Sequence, residues 1–392
     1  MNGHQPFIVI GIDASNINQG GGRTHLIEII NHCNPADYKV SKIIIWGSNS
    51  TLSLLPDYEW IKKRNFPALE SGLLRRSLWQ LFQLDKQALV EGCNILFIPG
   101  GNYLGQFKPY VTMNQNLLPF DWEILKKFGL CFFLIKMIIL RWTQTWSIKK
   151  SNGIIFLSEY AEKKVKMITG PLENKVIKIQ HGKNKKFIKP PKPQKSINHY
   201  NKQNPYRLLY VSKIDRFKNQ TKVVEAVGKL RIRTGWPLKL DLVGPYYKPS
   251  LINLNNIIKL WDPKNDWVTY HGEIAYDNMK TIYSNANLAI WASSCETFGI
   301  ILLEAMACGL PIASTDRGPA PEILGNAGIY FDPDIPSQIE KSLEILISSV
   351  EKRSELSKEA FKNAKNYTWD KCSKETFNFL SEILSINNKL SL

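Results

Sequence analysis

Short runs of consecutive apolar residues, each followed by a stretch with helical spacing, recur along the chain. In the first half these runs are FIVIGID (7–13), VSKIIIWG (40–47), NILFIPG (94–100), YVTMNQN (110–116) and GIIFLSEYA (153–161). HLIEIINHC (25–33) supplies a helical stretch between the first two. The rhythm restarts with RLLYVSK (207–213), LKLDLVG (238–244), WVTYHG (267–272), LAIWASS (288–294), LPIASTD (310–316) and GIYFDP (328–333). Continuous apolar runs mark strands buried on both faces, and helices between successive strands imply parallel pairing. The pattern predicts two doubly wound α/β domains, with ligands bound beyond the carboxyl ends of their strands.

The two halves are separated by a segment of different character. From Lys183 to Gln203 there are seven lysines and no acidic residue, interleaved with Pro190, Pro191 and Pro193. Such a composition predicts an exposed linker. The expected organisation is a first domain over 1–183, a linker over 184–205, a second domain over 206–370, and a C-terminal helix over 371–392 that packs back on the first domain.

Composition removes several classes without choosing among the rest. Twenty-four glycines and 21 prolines in 392 residues, with 44% hydrophobic and 22% charged positions, exclude collagenous and low-complexity chains. The six cysteines are scattered with no C-x-x-C pair, and MNGHQPFIVIGID has neither a basic leader nor a cleavage site. A reduced, cytoplasmic location is therefore expected. Six histidines with no metal-binding spacing give no zinc site, so no metal is expected.

The net charge of +17 fits nucleic acid, anionic lipid or phosphorylated substrates equally well. No nucleic-acid recognition motif accompanies the basic residues, so nucleic acid is not an expected partner. FGLCFFLIKMIILRW (128–142) is more specific, being apolar yet carrying Lys136 and Arg141. Between Glu123 and Lys150 six positive residues stand against one negative. Its apolar core of about 13 residues is too short to span the ~30 Å of hydrocarbon. Two readings stay open: a buried helix of the first domain, or a helix lying in an anionic membrane interface.

The chemistry concentrates in CETFGIILLEAMACGLPIAS (295–314). A strand ends, a turn follows, and a helix starts near Phe298 to Ile300, with Thr297 as its expected cap and Gly309 and Pro311 at its end. Amides at such a helix start form an anion site. Glu296 lies at the turn and Glu304 within the helix, where an apolar surface would leave its carboxylate in need of a polar partner. A hydroxyl-rich ligand would supply one.

ETFGIILLEAMACGLP resembles the paired-glutamate motif of retaining glycosyltransferases of family 4, which have the GT-B fold of two Rossmann-like domains facing across a cleft. The resemblance implies that Glu296 lies by the donor sugar, that Phe298, Gly299, Ile300 and Ile301 offer amides to sugar and pyrophosphate, and that Glu304 holds ribose hydroxyls. YVSKIDRFKNQ (210–220) is similar to the family's diphosphate-gripping loop, with Lys213 and Lys218 as its two cations. Arginine is commoner at the first position, and lysine gives a point charge in place of a fork. NQGGGRTHLIEII (18–30) matches neither nucleotide-binding glycine fingerprint, but the family's equivalent loop faces the cleft, which assigns Gly21 and Gly22 to donor or acceptor contact.

This chain also departs from the pattern. Many relatives carry a histidine after the strand matching YVTMNQN, where Gln115 and Asn116 stand here; an amide can orient an acceptor or sugar hydroxyl but not take its proton. His181 occupies a position where relatives often show Asn-Gly and is read as a turn residue. His25 opens a helix beside the glycines, with packing favoured over a catalytic role.

TMNQNLLPF and GIIFLSEYA are also similar to bacterial transferases that build O-antigen and related surface polysaccharides. The expectation is therefore a retaining hexosyltransferase that moves sugar from a nucleotide diphosphate sugar to a saccharide, lipid-linked through polyprenyl diphosphate. It would work without cofactor or metal, peripherally on the inner face of the cytoplasmic membrane. Glu296, Lys213 and Lys218 would carry the chemistry. The alternatives are a non-catalytic nucleotide-sugar-binding scaffold of the same fold and a sugar phosphorylase, for which no pyridoxal-phosphate lysine site is evident.

Overall fold

The computed structural model describes residues 7–129 and 131–390. The ends of the first and last predicted segments (1–6 and 391–392) and Leu130 lie outside the described residues. The chain divides into two units, residues 1–182 with 368–392 and residues 183–367.

The first unit holds seven strands: β1 (Ile8–Ala14), β2 (Val40–Gly47), β3 (Ile61–Arg64), β4 (Ile95–Ile98), β5 (Tyr110–Met113), β6 (Gly153–Phe156) and β7 (Lys175–Lys178). All pair in parallel in the order β3-β2-β1-β4-β5-β6-β7. The central strands β4, β5 and β6 are wholly buried, as their apolar runs require. The edge strands β3 (IKKR) and β7 (KVIK) are absent from the apolar reading. Their lysines suit an edge, where charge discourages pairing with another chain.

The second unit holds β8 (Tyr206–Val211), β9 (Leu238–Val243), β10 (Val268–Tyr270), β11 (Leu288–Trp291), β12 (Ile312–Thr315) and β13 (Ile329–Phe331). Their order, β10-β9-β8-β11-β12-β13, is again all parallel. Strand order reverses between β1 and β4 in one sheet and between β8 and β11 in the other. Loops leaving such neighbours diverge to opposite sides and open a crevice, so each unit has one place where a ligand is expected.

Six helices matter for function: α1 (Gly20–Asn31), α2 (Leu73–Phe82), α3 (Phe132–Lys150), α4 (Gln220–Thr234), α5 (Ile300–Ala307) and α6 (Trp369–Leu390). Helix α6 belongs to the first unit and packs on α1, where the Ser373 hydroxyl donates to the Ile29 carbonyl (2.7 Å).

The lysine-rich segment is not an exposed linker. Residues 183–205 belong to the second unit: Phe187 is fully buried, the Lys189 amide donates to the Ala307 carbonyl (2.9 Å), and Arg353 donates to the Lys195 carbonyl (2.7 Å). The lysine heads reach solvent or surface acceptors while the apolar residues between them anchor the backbone.

Helix α3 fits neither extreme of its sequence reading. Leu134, Met137, Gln144, Ser147 and Ile148 are buried, which rules out a helix free of the core. Its opposite face leaves Phe132 81% and Trp142 68% exposed, with Ile135, Ile138 and Ile139 exposed between them. Helix α2 likewise exposes Leu73, Leu74, Leu78, Leu81 and Phe82, a feature the apolar runs did not announce. Among the described residues no helix is long and apolar enough to cross a membrane.

Candidate functional site

The second unit's switch point lies between β8 and β11, and both loops leaving it carry residues singled out by the sequence. The β8 loop is held in place by Asn219. This residue adopts a left-handed conformation (φ +58°), is buried, and donates from Nδ2 to the Ala292 carbonyl and the Ser294 hydroxyl, both at 2.8 Å. The Ser294 amide in turn donates to the Phe217 carbonyl (2.8 Å), and the Tyr210 hydroxyl donates to that of Lys218 (2.5 Å). These bonds staple the β8 loop to the β11 loop.

The staple brings Lys218 against Glu296. The ammonium donates to Glu296 Oε1, and both side chains are largely buried, 12% and 19% exposed. Lys218 also lies over the rings of Phe217 (4.9 Å) and Trp291 (5.9 Å). Lys213 stands apart from this pair: it faces Asp215 (3.2 Å), is nearly half exposed, and lies over Tyr247. The two lysines therefore have different surroundings, which the sequence resemblance alone does not separate.

Helix α5 begins at Ile300, the last position of the expected start, but Thr297 is not its cap. Gly299 takes the cap position with φ +102°, and its backbone carbonyl accepts from the amides of Leu302 (3.0 Å) and Leu303 (3.2 Å). Glycine is needed there because a side chain rarely adopts that φ and an added Cβ would meet Trp291 at 3.1 Å. The amides of Gly299, Ile300 and Ile301 precede the first of these bonds, at the positive end of the helix. Phe298 is buried, edge-on to Tyr367, and fixes the turn between Glu296 and the helix.

Glu304 is buried within α5. The Tyr283 hydroxyl donates to its Oε2 (2.9 Å) and the Tyr276 hydroxyl to its Oε1 (3.3 Å). Burial pushes its carboxyl up to about 7, against the lowering effect of the two hydroxyls and of Lys186. Lys186 sits over the Tyr276 ring (3.5 Å), so the segment read as a linker takes part in the surroundings of Glu304. Tyr276, Tyr283, Asn219 and Lys186 were not singled out by sequence. Nothing in their local pattern distinguishes them from ordinary surface or core residues.

In the first unit, Gly21 and Gly22 form the first turn of α1 and not a free loop before it. With Gln115 and Asn116 they line a cleft of about 690 Å³ at the β1/β4 switch point. Its walls include Leu73 and Arg76 of α2 and Lys136, Met137 and Leu140 of α3. Gly22 lies close to Gln115, whose Oε1 would be 2.9 Å from an added Cβ. His25 and His181, in contrast, are buried in the body of the first unit.

Residues 191–363 match the family model described as "Glycosyl transferases group 1". The chain is 27% identical over 183 residues to a D-inositol 3-phosphate glycosyltransferase from Paenarthrobacter aurescens, covering 46% of this chain and 45% of that protein. It is also 27% identical over 115 residues to the O-antigen chain mannosyltransferase B of Escherichia coli, covering 29% and 30%. The matched part thus spans less than half the length of these curated relatives. Among solved structures, a sucrose-phosphate synthase from Thermosynechococcus elongatus aligns with a TM-score of 0.75 at 14% identity, covering 97% of this chain and all of that one. HepE from Anabaena, in complex with UDP and glucose, aligns with a TM-score of 0.70 at 16% identity, covering 96% and all of that chain. With two parallel Rossmann-like sheets and these structural neighbours the chain has the GT-B fold, and residues 191–363 of its second unit are similar to the glycosyl transferases group 1.

Proposed function

We propose that this protein is a retaining hexosyltransferase, moving a sugar from a nucleotide diphosphate donor to a hydroxyl of a lipid-linked saccharide during synthesis of a surface polysaccharide. The observation that carries the reading is the Lys218–Glu296 pair at the β8/β11 switch point, beside the amides that open α5. In the reaction the bond from the anomeric carbon to the diphosphate breaks, a bond to the acceptor oxygen forms on the same face, and the acceptor proton passes to the departing phosphate oxygen. Negative charge grows on the diphosphate. The Lys218 ammonium and the α5 amides meet that charge without having to reorganise, which is where such groups lower a barrier. Glu296 holds Lys218 in position and in this reading accepts from a donor sugar hydroxyl. Glu304 accepts ribose hydroxyls in this reading, and Lys213, being more exposed, adds charge at the outer phosphate.

These cations do the work a divalent ion does elsewhere, so turnover is proposed to need neither metal nor cofactor. Gln115 and Asn116, with Gly21 and Gly22, are assigned to orienting the acceptor in the first unit's cleft. The bare apolar faces of α2 and α3 flank that cleft, and Lys136 lies on its wall. This supports an acceptor carried on a lipid, and a protein resting peripherally on the inner, anionic face of the cytoplasmic membrane. The O-antigen mannosyltransferase among the relatives supports a surface-polysaccharide acceptor.

A screen of UDP-, GDP- and dTDP-sugars by thermal shift, followed by product analysis with and without Mg²⁺, tests the proposal. Product of retained configuration is expected in both conditions. Donor binding without turnover on any lipid-linked acceptor would favour a scaffold, the reading that the amides at 115 and 116 would suit.

A further inference from the structure

His25, His181 and Cys372 come from three distant parts of the sequence and meet inside the first unit. Their ligating atoms all lie within 4.8 Å of one another. His25 is on α1, His181 follows β7, and Cys372 is on the first turn of α6. None is exposed by more than 4%. The two imidazole rings are 5.0 Å apart, and Trp369 packs against both, 6.2 Å from His25 and 5.5 Å from His181.

His25 lacks what a buried histidine normally has. Neither nitrogen of His25 has a hydrogen-bond partner among the described residues, although the ring is fully buried. Leaving a polar group unpaired in the interior costs about 1–3 kcal/mol, and native proteins seldom tolerate it. Aromatic packing alone would be served better by a phenylalanine. A neutral imidazole nitrogen without a hydrogen-bond partner offers its lone pair to a metal.

We propose that His25, His181 and Cys372 form a three-ligand site for a soft d¹⁰ metal ion, Zn²⁺ or Cu⁺, which ties α6 to the first unit. Imidazole and thiolate are the ligands both ions prefer. Bonds of about 2.0–2.3 Å need ligand atoms about 3.5 Å apart, so side-chain rotations of roughly an ångström close the present spacing. No carboxylate joins the group among the described residues, so a thiolate is the only anion available. A monovalent ion would then leave no net charge buried, and a divalent ion would need a hydroxide or other small anion as fourth ligand. The site holds Gly182 and Thr368 together where the chain leaves and re-enters the unit: an added Cβ at Gly182 would lie 2.1 Å from the Trp369 nitrogen. Its role is structural and separate from the proposed metal-free transfer chemistry.

The test loads metal-stripped full-length protein with Zn²⁺, with Cu⁺ under reducing conditions, and with Co²⁺ as a coloured substitute. Stoichiometric binding of Zn²⁺ or of Cu⁺ is expected, with a rise in melting temperature, and the arm that binds identifies the ion. Co²⁺ should give a thiolate-to-metal charge-transfer band that disappears in Cys372→Ser. Should Cys372→Ser fail to fold, His181→Asn serves, with the band lost or displaced. Absence of binding by all three ions in the wild-type protein would overturn the proposal, as would a charge-transfer band that survives both substitutions.

Discussion

Lys218 donates to Glu296 across 78 positions of sequence, and neither loop would hold its residue there alone. The contact depends on Asn219, whose amide reaches the β11 loop from a left-handed backbone. A cation placed in this way is fixed before a diphosphate develops charge. Lys218→Ala should therefore lower kcat by about 10²–10³-fold with a smaller change in donor affinity. Steady-state kinetics with a defined donor check this, and an effect confined to KM would move Lys218 out of the chemical step.

Asn219→Ala probes the staple without touching the ion pair. Its backbone would have to leave the left-handed region or accept strain, and two buried acceptors would lose their donor. Loss of about 1–3 kcal/mol of stability is expected, together with reduced turnover. Denaturant unfolding and kinetics on the same preparation measure both.

The Glu304 carboxyl is raised to about 7 by burial, so below neutrality it is protonated in the folded chain while an unfolded chain has already ionised. Folding then binds the extra proton, and this residue's contribution to stability falls as pH rises from about 4.5 to 7. Donor binding should run the other way. Hydroxyls that donate to the carboxylate favour its ionised form, so affinity should strengthen up to about pH 7 and then level. Titration calorimetry across this range should show a slope that Glu304→Gln removes, and Glu304→Ala should weaken donor binding by about 1–3 kcal/mol.

The proposed membrane docking can be separated into its apolar and charged parts because the residues involved are exposed. Ile135→Ser with Trp142→Ser should leave the melting temperature nearly unchanged, since neither side chain is buried, yet abolish the salt-resistant part of co-sedimentation with phosphatidylglycerol vesicles. Reversing Lys126, Lys127 and Lys136 to Glu should remove the salt-sensitive part, about 1 kcal/mol per cation. Wild-type protein that stays in the supernatant at low salt would point to a soluble acceptor.

Gly182 has no room for a side chain, with backbone atoms of Thr368 and Trp369 at 2.4 Å or less from an added Cβ. Gly182→Ala must push apart the two segments that cross between units. A loss of about 1–3 kcal/mol is expected by thermal or urea unfolding, because displaced backbone relaxes less readily than a side chain.

The alternation of apolar runs with helical stretches determined two parallel α/β units, since strands buried on both faces leave a signature that neighbours in space cannot alter. Glu296, Glu304, Lys213 and Lys218 could be singled out for a related reason: they sit in contiguous motifs that follow β8 and β11. Other features depend on chain returning from far away. The lysine-rich segment looks like a linker until Phe187 and the Lys189 amide find partners in the second unit. Thr297 looks like a helix cap until Gly299 takes that place, in a left-handed backbone close to Trp291. The apolar face of α3 gives no local sign of which side the core will cover. Positions 25, 181 and 372 show no metal-binding spacing, because the spacing that matters is created when α6 folds back onto α1. Local pattern fixes which elements form; only tertiary packing decides which distant side chains become neighbours and which polar groups are buried.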